Sequence, residues 1–186
     1  MMHQASKNLK NTFQLTRRRK LNWKDVISLK HTAEEIWDTE TANTKRDWGK
    51  LLHLVLSKIS YSNQKDEVIN EMYKLGKFTN EDYQELQQVV ADLLNHEDIQ
   101  PFFTDDWEVK NEKEILMNNG RTYIPDRLLF SRSSDKVVII DYKTGRELDK
   151  HESQVADYAN ALMLMGKRNV EKVLIYTSET IKVVRL

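Results

Sequence analysis

The chain contains no cysteine. Disulfide staples, thiolate zinc sites, cysteine nucleophiles and iron–sulfur clusters are therefore excluded together. Proline and glycine are scarce, at 2 and 5 of 186 residues, while 31% of the chain is charged. That balance suits a compact, helix-rich domain rather than disorder. An excess of one charge is missing too, because 29 Lys+Arg offset 29 Asp+Glu. A strongly basic total, the simplest mark of a nucleic-acid partner, is absent, although a neutral total leaves room for a local basic groove. No apolar run approaches membrane-spanning length and the first residues are polar, so the expectation is a cytoplasmic protein with no membrane partner. No Gly-x-x-x-x-Gly-Lys-Ser/Thr phosphate loop occurs, so these residues hold no motor of that kind.

What is there begins with a polar lead-in over residues 1–20, which carries the densest basic run, Arg17-Arg18-Arg19-Lys20. Its ordinary reading is a solvated segment, and the alternative is a phosphate contact. Residues 21–186 read as a single domain, helical over 21–100 and sheet-bearing over 101–186. One or two short helices are expected between Trp23 and Trp37. Trp48, Leu51, Leu52, Val55, Leu56 and Ile59 then recur at i, i+3, i+4, i+7 spacing, the mark of an amphipathic helix. His53 sits at the border of that stripe, and Gly49, one turn earlier, leaves space beside the imidazole. A further helix runs from Asp66 to Leu75, where Gly76 stops it. Another runs from Thr79 to Asn95, with Thr79 as its N-cap and acids in its first turn.

After Pro101 the pattern changes to strands. Trp107 to Leu116 is the first, carrying Glu112 and Glu114, and Asn118-Asn119-Gly120 signals a turn. Arg121 to Phe130 and Lys136 to Lys143 form a hairpin across Ser131-Arg132-Ser133-Ser134-Asp135. Val137 to Ile140 are apolar on both faces, so that strand belongs in the middle of a sheet covered on each side. Leu148 to Met165 is a helix stopped by Gly166, and Val173–Tyr176 and Ile181–Val184 are two last strands. The order of helices, three strands, helix and two strands predicts an α/β fold with one mixed sheet and helices against it.

The chemistry is concentrated in the hairpin. If its midpoint falls between Ser133 and Ser134, Asp126 faces Asp141, and directly opposed side chains in an antiparallel pair have Cβ atoms roughly 5 Å apart. Two facing carboxylates are destabilising unless a positive charge sits between them. Lys143, two residues beyond Asp141, points to the same face. Two acids and a lysine suit a divalent metal with a basic assistant, and the implied reaction is phosphodiester hydrolysis. Taken alone, Asp141-x-Lys143 reads better as a structural ion pair at a strand end. Similarly, His53 read by spacing is a packed histidine, and Gln154 and Tyr158, one turn apart on the Leu148–Met165 helix, are residues at a core margin.

Ile124-Pro125-Asp126-Arg127 followed by Val138-Ile139-Ile140-Asp141-Tyr142-Lys143-Thr144-Gly145 resembles the PD-(D/E)xK nuclease superfamily. More narrowly it is similar to the RecB-like branch found at the C-terminus of helicase–nucleases of the RecBCD and AddAB kind. The order of motifs also matches: Gly49-x-x-x-His53 on an upstream helix, a glutamate-bearing strand where Glu112 or Glu114 fits, Pro125-Asp126-Arg127, Asp141-Tyr142-Lys143, and Gln154-x-x-x-Tyr158 on the following helix. The resemblance covers residue 48 to the end. It implies a restriction-endonuclease-like fold and a DNA nuclease using Mg2+ or Mn2+. His53, Asp126 and Asp141 would be metal ligands and Lys143 the catalytic lysine. Gln154 and Tyr158 would position the site or the strand, with Glu112 or Glu114 as further candidates. A helicase motor, in the same chain or beside it, is the implied partner. A docking module without activity and a stand-alone endonuclease are the alternatives.

Overall fold

In the computed structural model, residues 45–186 are described, with the exception of Asn118, Arg146 and Glu179. The lead-in expected over 1–20 and the helices expected between Trp23 and Trp37 lie outside these residues. The described chain forms four helices, α1 (Lys45–Lys58), α2 (Lys65–Lys74), α3 (Asn80–Asn95) and α4 (Asp149–Leu164). Its strands are β1 (Trp107–Asn111), β2 (Ile115–Leu116), β3 (Thr122–Tyr123), β4 (Arg127–Ser131), β5 (Lys136–Lys143), β6 (Asn169–Thr177) and β7 (Ile181–Arg185). Short 3-10 turns at Ser62–Gln64 and Gln100–Phe103 lead into α2 and β1.

Local chemistry accounts for the helix ends. Thr79 caps α3 reciprocally: its backbone N–H donates to Asp82 Oδ2 at 3.0 Å, and the Asp82 N–H donates to Thr79 Oγ1 at 3.2 Å. Gly76 (φ 67°) and Gly166 (φ 89°) adopt the left-handed conformation past the ends of α2 and α4, where a side chain would be strained.

Five strands make the main sheet, in the order β1-β4-β5-β6-β7, while β2 and β3 pair separately. All neighbours are antiparallel except β5 and β6, which run parallel with α4 as their crossover. The sheet is therefore mixed, with β5 at its centre and buried along all but its two ends. Alternation along β5 divides the core. Val138, Ile140 and Tyr142 join Leu52, Val55 and Leu56 of α1, Ile69 of α2 and Leu86, Val90 and Leu93 of α3. Val137 and Ile139 join Val155, Tyr158, Ala159 and Leu162 of α4. Every other residue of an extended strand must face the opposite layer, so a strand apolar throughout serves both. The fold is restriction-endonuclease-like: a mixed sheet between helical layers.

Two expected strands are each interrupted. Trp107 to Leu116 divides into β1 and β2, and Arg121 to Phe130 into β3 and β4. The break falls where Glu112 adopts φ 48°, a left-handed conformation uncommon outside glycine. The final parallel strand is longer than its apolar run suggested, because β6 begins at Asn169 and its first residues lie at the partly exposed end.

Candidate active site

The start of β4 and the end of β5 lie side by side at one end of the sheet. Arg127 pairs with Ile140 and Phe130 with Val137, so continuing that register past the ladder sets Asp126 against Asp141. The Tyr142 N–H donates to Asp126 Oδ2 at 2.8 Å, so the side chain of Asp126 takes over where backbone pairing stops. Opposite it, the Glu112 N–H donates to the Asp126 carbonyl at 3.0 Å. Asp126 is thus fixed by backbone donors on both sides, from β5 and from the residue that follows β1.

Helix α1 adds the third side chain. His53 Nδ1 lies 3.5 Å from Asp126 Oδ1, and its ring meets the Tyr142 ring edge-on at 5.9 Å. Burial alone would lower the pKa of this imidazole, but the contact with Asp126 and the nearby Asp141 charge outweigh it and raise it above the usual value. Gly49 explains how α1 comes so close. The space at its missing side chain is filled by Thr144 rather than by the imidazole: a Cβ there would overlap Thr144 Oγ1 and lie 3.2 Å from Thr144 Cβ and Cγ2.

Asp141 is buried and in ion-pair contact with Lys143 through Oδ2. The Lys143 ammonium is the partner of this buried carboxylate oxygen and acts to lower the Asp141 pKa. Burial, and then repulsion from Asp126, push the Asp141 carboxyl up to about 6 in spite of Lys143. Lys143 Nζ donates to Gln154 Oε1 at 2.9 Å, and Gln154 Nε2 donates to Tyr158 Oη at 2.6 Å. The phenol of Tyr158 is held up mainly by burial, and its ring packs edge-on against Tyr123 at 5.8 Å. The spacing of Gln154 and Tyr158 on α4 therefore has a physical purpose: four residues apart, they stack on one face and reach the lysine in series.

Two residues that the sequence did not mark hold this end of the molecule together. Arg127 is fully buried and, among the described residues, has no carboxylate partner. Its Nη1 donates to the Ile59 carbonyl at 2.8 Å and to Asn111 Oδ1 at 3.2 Å. Its Nη2 donates to the carbonyls of Ser60 at 2.6 Å and Phe102 at 3.0 Å. The guanidinium also lies over the Phe103 ring, 4.0 Å from its centre. Asn111 Nδ2 donates to the Ser57 carbonyl at 2.8 Å. The carbonyls at the end of α1, which have no helical partner, are thus satisfied by side chains from β1 and β4. Pro125-Asp126-Arg127 contained the signal. Alternation turns Arg127 to the face opposite Asp126, inward toward α1.

His53, Asp126, Asp141, Lys143, Gln154 and Tyr158 all meet at one sheet end, whereas Glu112 and Glu114 are exposed. Glu112 touches Asp126 through its backbone. Among the described residues, no three His, Asp or Glu side chains are already grouped as a metal site. The donors nevertheless suit a divalent cation. Two carboxylates lie close enough that Asp126 helps to raise the buried Asp141 carboxyl, and an imidazole adjoins them.

The chain matches the model of the PD-(D/E)XK nuclease superfamily over residues 12–183 and belongs to that superfamily. Nucleases of this superfamily use divalent metal ions, typically Mg2+. No curated protein matches the chain. Among solved structures, one titled "Crystal structure of SSO0001" is similar at 16% identity and a TM-score of 0.30, over 72% of this chain and 65% of that one. The chain therefore spans less than two thirds of the length of that protein, and a likeness so remote says nothing of activity.

Proposed function

We propose that this chain is a metal-dependent deoxyribonuclease of the RecB-like kind, the exonuclease module of a helicase–nuclease that processes DNA ends. The observation that carries this reading is the connected series Asp141–Lys143–Gln154–Tyr158, joined across the sheet end to Asp126 and His53. The glutamine–tyrosine helix supports the RecB-like branch in particular, because Gln154 holds the lysine and Tyr158 holds Gln154. His53, Asp126 and Asp141 would hold Mg2+, and the imidazole makes Mn2+ acceptable. When bound, the cation supplies charge neutralisation at the phosphate and a more acidic water.

The residues of the chain do the rest. A water oxygen attacks phosphorus, the bridging phosphorus–oxygen bond breaks, and the proton released by the water ends on the departing oxygen or in solvent. The products are a phosphate monoester and a hydroxyl. Gln154 accepts one N–H of Lys143 and Asp141 balances its charge, which leaves the ammonium a donor for a phosphate oxygen or the attacking water. Cleavage of labelled single- and double-stranded DNA with Mg2+ or Mn2+, with and without chelator, tests the proposal. Activity that survives in Asp126→Ala and Lys143→Ala would sink it.

A second reading has one observation in its favour. The acids have other partners and are not grouped around a cation site, as suits a docking module that has kept the fold. Calorimetric titration with Mn2+ separates the two, since absent binding favours docking. Covalently closed circles distinguish a stand-alone endonuclease, because an exonuclease requires an end.

A further inference from the structure

We propose that the β2–β3 arm is a contact surface for the unstacked bases of single-stranded nucleic acid, with Leu116 and Ile124 as its apolar points. The proposal deepens the nuclease reading and rests on it for the direction of the strand. The β1–β4 and β2–β3 ladders share one register: Trp107 pairs with Ser131, Asn111 with Arg127, Ile115 with Tyr123 and Leu116 with Thr122, all centred on Asn119. They are one long hairpin, interrupted only beside Asp126. Its near half belongs to the sheet and its far half continues past the site as an arm.

The two faces of the arm differ. Ile115 is buried in the core cluster of α4, and Tyr123 packs on Tyr158 beside it. These contacts anchor the arm to the helix that also holds Gln154. On the other face Leu116 is 73% exposed and Ile124 47% exposed. Leu116 lies opposite Thr122, and alternation brings Ile124, two residues on, to the same side. Ile124 also stands two residues before Asp126, at most about 7 Å along the chain. An apolar surface is thus built next to a site for a charged backbone.

Charge decides what that surface takes. Phosphate contacts require cationic or N–H donors. The register continued past the ladder sets exposed Glu114 opposite Ile124, whereas the exposed cations Lys113 and Arg121 stand at the adjoining chain positions, which alternation turns to the other face. Aliphatic carbons flanked by a carboxylate repel phosphate and suit the faces of bases. A duplex keeps those faces stacked inside, whereas a single strand presents them. The occupant is therefore a single strand whose phosphate lies at Asp126 and whose neighbouring base rests on Leu116 and Ile124.

The test uses the full chain and a Leu116→Ser/Ile124→Ser double variant. Both sites are exposed, so the thermal midpoint should be retained and is measured as a control. Fluorescence anisotropy with labelled single-stranded and blunt duplex DNA of one sequence, in chelator, reads binding without cleavage. The variant should bind the single strand about tenfold more weakly, as loss of partial burial of two aliphatic side chains implies, with duplex binding unchanged. In Mg2+, its single-strand cleavage should suffer in KM rather than kcat. Single-strand binding within twofold of wild type, equal loss on both DNAs, or no single-strand binding by the wild type would each overturn the proposal. Unchanged binding would leave a protein partner as the occupant. Failure of the nuclease reading looks different: no cleavage by the wild type in either metal, whatever the anisotropy shows.

Discussion

Lys143 and Gln154 are eleven residues apart, on a strand and the helix that follows it, and Lys143 Nζ donates to Gln154 Oε1 at 2.9 Å. Gln154 is in turn held by Tyr158 at 2.6 Å. A lysine has a long, flexible stem, and these contacts together with the ion pair to Asp141 determine where its charge lies. Gln154 is accordingly a positioning residue.

Gln154→Ala should lower kcat by tenfold or more, since a hydrogen bond to a charged group is worth about 1.5–3 kcal/mol. KM and the thermal midpoint should change little. Tyr158→Phe removes only the second link and should cost less. Single-turnover cleavage kinetics of both variants provide the check. An unchanged kcat in Gln154→Ala would show that the lysine is positioned by Asp141 alone.

Gly49→Ala offers a sharper structural test. Within a helix this change ordinarily stabilises by about 1 kcal/mol. Here the new Cβ meets Thr144, the residue after the lysine, and turning the threonine does not remove the contact with Thr144 Cβ, which is 3.2 Å away whatever the rotamer. The expected result is a loss of about 1–3 kcal/mol, together with lower activity from a displaced Lys143. Gly49→Ala combined with Thr144→Gly should recover much of the stability, giving a coupling in the double-mutant cycle. A single variant as stable as wild type in urea denaturation would contradict the contact.

Much of this arrangement was legible in the sequence, and the reasons lie in particular residues. The turn composition of Ser131–Asp135 placed the hairpin midpoint, and the observed register agrees with it. The two-faced apolar run Val137–Ile140 placed its strand at the centre. The break at Glu112 was not legible, because a left-handed glutamate has none of the compositional marks of a left-handed glycine. The role of Arg127 was hidden for a related reason. Arginine is seldom fully buried without an acid, and its acceptors are the carbonyls of Ile59, Ser60 and Phe102, which no side-chain pattern announces. His53, Gln154 and Tyr158 read by spacing as packing residues, and only the order of motifs pointed elsewhere.

Arg127 should therefore be among the costliest residues to change. Arg127→Met retains bulk but leaves two buried and two part-buried acceptors without their donor, and roughly 3 kcal/mol of stability should be lost. Arg127→Lys retains the charge but not the fork, and should fall between the two. Because the same group ties the end of α1 to the start of β4, metal-free variants should also exchange the His53-side amides of α1 faster. Equilibrium denaturation with hydrogen exchange tests this, and a methionine variant within 1 kcal/mol of wild type would refute it.

The last prediction concerns Asp141, where stability and function pull in opposite directions. Its carboxyl is raised to about 6 by burial and by Asp126, against an unfolded value of about 3.9. A raised carboxyl means that the native state holds the proton more tightly. The stabilising contribution is therefore fully present below about pH 4, declines between about 4 and 6, and is gone above that range. In metal-free solution at pH 7.5, Asp141→Asn should be more stable than wild type by up to about 3 kcal/mol, and the gap should close as the pH falls through that range. The variant should have lost cleavage. In the wild type, cleavage should fall as the pH drops below about 6, because the carboxylate must be ionised to hold a cation, and more Mn2+ should move that limb to lower pH. Added Mn2+ should raise the wild-type thermal midpoint and leave the variant nearly unmoved. Thermal melts of both proteins from pH 4 to 8, with and without Mn2+, decide the matter. A variant less stable than wild type at pH 7.5 without metal would mean that the contact with Lys143 outweighs both burial and the neighbouring carboxylate.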